Sequence, residues 1–304
     1  MLVITFNYIL ILILVLILAL KIVLDLDLIF ELYLVHKLKQ PLRRVLYLMV
    51  AQIISFGIQK GGSSKTTTSG VTAYLLSREY KVLVIDMDSQ GNLTEFLTRR
   101  DVVDFSGRTI LEAMQEQDAR SYIYKVTESL HLIAADDLLA TFSRWLYSDY
   151  RHGDRSLVLH ETLKTVRDEY DYIILDTPPA LGDLTINSLA ASDYVVAMFE
   201  ASIFCYSALG RFLETCLHVR EKVNPNLTVA GILRGLIDAR RTDNKALISQ
   251  VEEEYGEMCF ETVLRRNAAA GRLPIVGFEN NNELDHAVAQ YEEFLKELLR
   301  RVEQ

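Results

Sequence analysis

Ile53-Ile54-Ser55-Phe56-Gly57-Ile58-Gln59-Lys60-Gly61-Gly62-Ser63-Ser64-Lys65-Thr66-Thr67-Thr68 is the stretch that decides the fold. Its first five residues are short, apolar and largely β-branched or aromatic, which predicts a buried strand. Small polar residues follow, and Lys65–Glu79 then predicts a helix. A tight loop between a strand and a helix aims backbone N–H groups at an anion, and the helix N-terminus adds a partial positive charge. Lys65 can reach the terminal phosphates of a nucleotide, and Thr66 offers a hydroxyl to Mg²⁺. The pattern G-x-x-x-x-G-K-[ST] is not met, because Gln59 and Ser64 stand at its glycine positions. The variant K-G-G-x-x-K-[ST] is met, with Lys60 as an extra lysine. The bland alternative, a polar turn that happens to carry two lysines, fits the strand–loop–helix setting poorly.

Two further apolar runs end in carboxylates. Val84-Ile85-Asp86-Met87-Asp88 places Asp86 and Asp88 on one side of a strand end by simple alternation. Tyr172-Ile173-Ile174-Leu175-Asp176 ends in a third acid. An Asp closing an apolar strand is a usual Mg²⁺ partner in P-loop enzymes, and a neighbouring carboxylate can orient an attacking water. Each acid alone could simply cap a loop; three at strand ends beside a phosphate loop point to a site.

The rest of the chain repeats this rhythm. Strands are expected at Val82–Asp86, Tyr172–Asp176, Tyr194–Glu200 and Val229–Ile237. Helices are expected at Ser156–Asp168, Ser207–Val223 and Asp243–Tyr255. Such alternation predicts an α/β fold: three layers, doubly wound, a mostly parallel sheet with helices on both faces. Ligands of these sheets bind beyond the carboxyl ends of the strands, where the loop and the acids fall.

Composition narrows the function. The chain has 304 residues and a net charge of −9, so any DNA binding needs a local basic patch. Cys205, Cys216 and Cys259 form no CxxC pair, which gives no support to a zinc ribbon, a redox dithiol or a disulfide scaffold. A reducing cytoplasm fits. The six histidines show no spaced cluster, and Trp145 lies outside the motifs.

Residues 1–48 differ in kind. Met1–Leu24 is mostly Leu, Ile and Val, long enough to span a bilayer, and Lys37, Lys39, Arg43 and Arg44 follow. Three readings stand: a membrane anchor with its basic side in the cytoplasm, an apolar docking helix, or upstream sequence ahead of a true start at Met49. The expected division is therefore an N-terminal extension, 1–48, and a P-loop domain, 49–304.

The motifs together resemble the ParA/Soj family of partition ATPases, within the deviant Walker A class of P-loop NTPases that includes MinD. The resemblance runs from about Met49 to the C-terminus. It rests on Lys60-Gly61-Gly62 with Lys65-Thr66, on Asp86-Met87-Asp88-Ser89-Gln90-Gly91-Asn92-Leu93-Thr94, and on Tyr170-Asp171-Tyr172-Ile173-Ile174-Leu175-Asp176-Thr177-Pro178-Pro179. Asn224-Pro225-Asn226-Leu227 and Asp238-Ala239-Arg240 are similar as well. The family implies ATP and Mg²⁺, bound by Lys60, Gly61, Gly62, Ser63, Ser64, Lys65, Thr66 and Thr67. Two subunits close face to face, and Lys60 touches the partner's phosphates. Thr66, Asp86 and Asp176 serve the metal, and Asp88 positions the hydrolytic water. The ATP-bound homodimer binds DNA without sequence preference, and a ParB-type centromere-binding partner stimulates slow hydrolysis. The protein is then cytoplasmic and nucleoid-associated.

Departures from the family pattern are visible. Ser64 replaces a common glycine, Ser63 a valine and Ser89 a proline, and Ala269 stands where a second basic residue is frequent. DNA contacts are expected from Arg240, Arg241, Arg266 and Arg272, although arginines of this kind also pair with nearby Glu. The competing reading is a MinD-like membrane-associated positioning ATPase. Leu284, Val288, Tyr291, Leu295, Leu298 and Val302 recur at helical spacing, but Glu292, Glu293 and Glu297 break the basic face that anionic lipid prefers. A helix docked on the core is the expectation. Iron–sulfur carriers need other cysteine positions, tyrosine kinases need an acceptor-rich tail, and a nucleotide-binding scaffold needs neither Asp88 nor Lys60.

Overall fold

The computed structural model describes residues 50–60, 64–237, 242–279 and 281–303. Gly61, Gly62, Ser63, Arg240, Arg241 and the whole apolar extension 1–48 lie outside the described residues. Among the described residues no helix is long and apolar enough to cross a membrane.

The chain runs β1 (Gln52–Gly57), α1 (Lys65–Leu76), β2 (Val82–Asp86), α2 (Asn92–Thr98), α3 (Ile110–Glu116), β3 (Ile123–Lys125), β4 (Leu130–Ile133), α4 (Phe142–Ser148), α5 (Val158–Leu163), β5 (Tyr172–Asp176), α6 (Asp183–Ala191), β6 (Tyr194–Glu200), α7 (Ile203–Lys222), β7 (Thr228–Ile237), α8 (Thr242–Tyr255), β8 (Cys259–Arg265), α9 (Ala268–Val276) and α10 (Leu284–Val302). One eight-stranded sheet has the order β3-β4-β2-β5-β1-β6-β7-β8. Every pairing is parallel except the edge hairpin β3–β4. This is the doubly wound, mostly parallel sheet expected from the alternation.

The strands are apolar on both sides because both sides are covered. Ile54, Phe56, Val84 and Ile174 face one core with α1, α2, α7, α9 and α10, while Ile53, Leu83, Ile85 and Leu175 face the other with α3, α4 and α5. Gly57 ends β1 without a side chain because Phe212 of α7 lies where a β-carbon would project, 2.3 Å away. Burying an aromatic ring of this size contributes about 1.5–3 kcal/mol, and Phe212 is fully buried.

The C-terminal helix α10 is docked, as its spacing predicts. Val288, Tyr291, Phe294, Leu298 and Val302 are buried in the core, and Leu284 and Leu295 pack against it. Its charges also join the sheet. The Glu297 carboxylate accepts hydrogen bonds from the backbone N–H groups of Glu261 (2.8 Å) and Thr262 (3.0 Å) on β8. Arg301 pairs with Glu297 at 3.0 Å and donates to the carbonyls of Ala230 and Cys259. These bonds satisfy backbone groups where the β7–β8 register slips.

The expected helix Ser156–Asp168 is broken. A 3₁₀ turn at Arg155–Leu157 precedes α5, and another follows at Arg167–Glu169. The Thr162 and Thr165 hydroxyls bond to the carbonyls of Val158 and Thr162, the local competition that weakens helix interiors. The expected helix from Lys65 also stops early, at Leu76. Trp145 packs between Phe142 and Tyr150, with ring centroids 5.8 and 5.5 Å away. All three cysteines are buried and free.

Candidate active site

The site assembles at the carboxyl ends of β1, β2, β5 and β6, where the strand order reverses around β1. The described part of the phosphate loop leads straight into α1. Ser64 occupies the N-cap in the left-handed region, at φ 57°, and its side chain makes no capping bond. That conformation is natural to glycine and costs other residues about 1–2 kcal/mol. The first-turn N–H groups of α1 therefore stay available to an anion.

Lys65 is buried, and its Nζ donates to the carbonyl of Lys60 at 2.9 Å. Burial pulls its pKa down, while the charges of Asp176 and Asp88 pull it back up. Lys65, Asp88 and Asp176 are therefore close enough for their charges to interact.

Asp86 and Asp176 are register partners on β2 and β5, and both are buried. Burial, reinforced by the charge of Asp176, pushes the Asp86 carboxyl up to about 7. Burial raises Asp176 to about 6, against the lowering influence of the Thr66 hydroxyl, the Lys65 charge and the Ser69 hydroxyl. Their hydrogen bonding differs. Asp86 accepts from the Thr94 N–H and hydroxyl, both at 2.9 Å, and from the Asp88 N–H at 3.1 Å. It is committed to fixing the turn that carries Asp88. Among the described residues Asp176 Oδ1 has no hydrogen-bond partner, although it is buried.

That orphaned oxygen beside the Thr66 hydroxyl is the donor set a hard divalent cation favours. Among the described residues no group of three or more His, Cys, Asp or Glu could hold a metal by itself. A cation held there would have to draw its remaining ligands from phosphate and water, as Mg²⁺ commonly does.

A cavity of about 500 Å³ opens beside the loop, lined by Ser64, Thr67, Leu264, Arg266, Asn267 and Tyr291 among others. Its size is that of a small-molecule site. Arg266 therefore lies next to the phosphate loop. Arg272, next to the cavity-lining Gly271, is paired with Glu283 at 2.6 Å. Arg266 and Arg272 thus have different surroundings, one at the cavity and one in an ion pair.

Sequence reasoning missed Glu200 and Ser202. Lys60 Nζ lies 3.1 Å from Glu200 Oε2 and donates to Ser202 Oγ at 2.9 Å. A signal existed, since Glu200 ends an apolar strand just as Asp86 and Asp176 do.

Strand, phosphate loop, buried lysine and paired strand-end aspartates on this sheet define a P-loop nucleotide-binding protein of the deviant Walker A type. A family model described as an AAA domain matches residues 51–229. The chain is 32% identical to the chromosome partitioning protein ParA of Myxococcus xanthus over 75% of its length and 80% of the relative's. It is 33% identical to the sporulation initiation inhibitor protein Soj of Bacillus subtilis, over 75% and 89%. Among solved structures, cobyrinic acid a,c-diamide synthase from Mycobacterium smegmatis, with bound ATP analogue and magnesium, is similar at TM-score 0.71 and 26% identity, over 84% of this chain and 97% of that one. A plasmid partition protein of Borrelia burgdorferi bound to AMPPNP is similar at TM-score 0.66 and 25% identity, over 83% and 99%. The chain belongs to the ParA/Soj family of partition ATPases.

Proposed function

We propose that this protein is a Mg-ATP-dependent, dimerising ATPase that partitions DNA. The observation that carries the reading is the convergence of Lys65, Thr66, Asp88 and Asp176 on the uncapped start of α1. The α1 N–H groups and Lys65 bind the β- and γ-phosphates. Asp88, half-buried at the mouth of the site, orients the attacking water. Thr66 and Asp176 hold Mg²⁺, which supplies charge neutralisation at the phosphates. Asp86 acts one step back, by holding the Asp88 N–H. The cavity beside Ser64 and Thr67 takes the nucleoside.

Two subunits close face to face on ATP, and Lys60 reaches the partner's phosphates. Phe204 supports such closure: it is 82% exposed in the first turn of α7, beside Ser202, and a second subunit would cover it. The ATP-bound dimer binds DNA through its phosphate backbone with Arg240, Arg241, Arg266 and Arg272. At Arg272 that backbone displaces Glu283. A ParB-type partner speeds an otherwise slow hydrolysis, and residues 49–304 are the working domain of a cytoplasmic, nucleoid-associated protein. A MinD-like membrane role has less support, because the apolar face of α10 is spent on the core.

The test uses the full chain carrying Asp88→Ala, which retains ATP. Binding to unrelated duplexes that needs ATP and weakens steeply with salt is the expected result. No DNA binding with ATP, together with ATP-dependent binding to anionic vesicles, would replace this reading by the MinD-like one.

A further inference from the structure

We propose that Glu200 is a positioning residue that latches Lys60 inside its own subunit until nucleotide arrives. This rests on the reading of Lys60 as the residue that crosses to the partner. The Lys60 ammonium sits between Glu200 Oε2 at 3.1 Å and Ser202 Oγ at 2.9 Å. The side chains of Lys60 and Glu200 are only 26% and 20% exposed, so the pair is partly shielded from water. The seat is firm. Glu200 closes β6, Ser202 caps α7 by accepting from the Cys205 N–H, and the Ser202 N–H bonds back to the Glu200 carbonyl at 2.7 Å.

The latch is wired to the phosphate site through one residue. The carbonyl of Lys60 accepts from Lys65 Nζ at 2.9 Å, while its side chain is held by Glu200. Phosphates that draw Lys65 away from that carbonyl loosen the segment bearing Lys60. Lys60 can then leave Glu200 without stranding a charge. Arg266 Nη2 stands 4.0 Å from Glu200 Oε1, on the other side of the carboxylate, and is largely exposed. It is placed to take over the pairing. Breaking a half-buried ion pair is costly mainly because one charge is left alone, and a substitute cation removes that penalty. Glu200 therefore opposes dimer closure without ATP, and Arg266 eases closure with it.

Two readouts test this on the full chain. In nucleotide-free protein, a limiting amine-acylating reagent is followed at Lys60 by peptide mass spectrometry, with exposed Lys125 as internal reference. Lys60 is expected to react several-fold faster in E200Q than in the wild type. Ser202→Ala, which removes the other seat of the ammonium, is expected to speed it less. Equal Lys60 rates in all three proteins would overturn the latch. In the second readout, carried on the Asp88→Ala background, E200Q lowers the ATP concentration at half-dimerisation by about two- to fivefold, the scale of a partly exposed ion pair. Arg266→Ala raises it, and the double variant behaves as E200Q, because Arg266 then has no carboxylate to serve. An unshifted midpoint in E200Q alongside a dimerising parent would overturn the role in closure. A parent that stays monomeric at saturating ATP would instead count against the proposed function, while the acylation readout still decides whether the latch exists.

Discussion

Asp86 and Asp176 stand side by side at the carboxyl ends of two adjacent parallel strands, both buried; Asp86 is hydrogen-bonded through both oxygens, and Asp176 has one oxygen without a partner among the described residues. Like charges so placed resist ionising together. In the proposed function the Asp176 oxygen would receive the cation, while Asp86 holds the Asp88 N–H.

The pair makes stability depend on pH. Both carboxyls titrate above their ordinary range in the folded protein, Asp86 at about 7 and Asp176 at about 6. Between the ordinary carboxylate range and pH 7 the folded state thus binds more protons than the unfolded one, and stability falls as pH rises. Thermal unfolding without nucleotide or Mg²⁺ is expected to show a melting temperature several degrees higher at pH 6 than at pH 8. Asp176→Asn should flatten that slope. A melting temperature rising from pH 6 to pH 8 would contradict the assignment.

Ser64 carries backbone strain. A β-branched residue tolerates φ 57° worse than serine does, so Ser64→Val is expected to cost about 1–2 kcal/mol and to weaken nucleotide binding. Ser64→Gly should keep or improve both. Gly235→Ala acts on the same spot, since its new β-carbon would lie 3.3 Å from Ser64 Oγ. Melts and ATP titrations of the three variants measure this.

Glu297 ties α10 to the edge strand. Glu297→Ala removes acceptors for two β8 N–H groups and the partner of Arg301, with an expected loss of about 2–4 kcal/mol in denaturant unfolding. Those N–H groups and Arg301 hold the Glu297 pKa below its usual value, against the opposing effect of burial. Its contribution is therefore present at neutral pH and is lost on acidification through the lowered value. Glu297→Gln, which keeps one acceptor, should lose less.

The two catalytic assignments separate cleanly. Lys65→Ala is expected to abolish nucleotide binding, measured by fluorescent ATP analogue. Asp88→Ala is expected to bind ATP as tightly as the wild type and to hydrolyse at least a hundredfold more slowly, within the range that loss of one positioned catalytic group produces. Normal turnover by Asp88→Ala would refute its role.

Much of this was legible because the informative residues were local. Strand, loop and helix follow one another between Ile53 and Leu76, and Asp86 and Asp176 end strands whose apolar runs are unambiguous. The short edge hairpin Ile123–Lys125 and Leu130–Ile133 gives little periodicity to find. Cys259–Arg265 alternates weakly, with its buried and exposed residues in no strict two-residue period. The partners of Lys60 are 140 and 142 residues away, and only the sheet order brings β6 beside β1. The nearness of Arg266 to Glu200, 66 residues apart in sequence, is likewise a product of the fold.

The most direct test is the mass of the Asp88→Ala protein in solution, by analytical ultracentrifugation with and without Mg-ATP. The account predicts a monomer without nucleotide, a dimer with ATP, and a monomer again when Lys65→Ala is added. A protein that binds ATP yet remains monomeric at saturating nucleotide would contradict it.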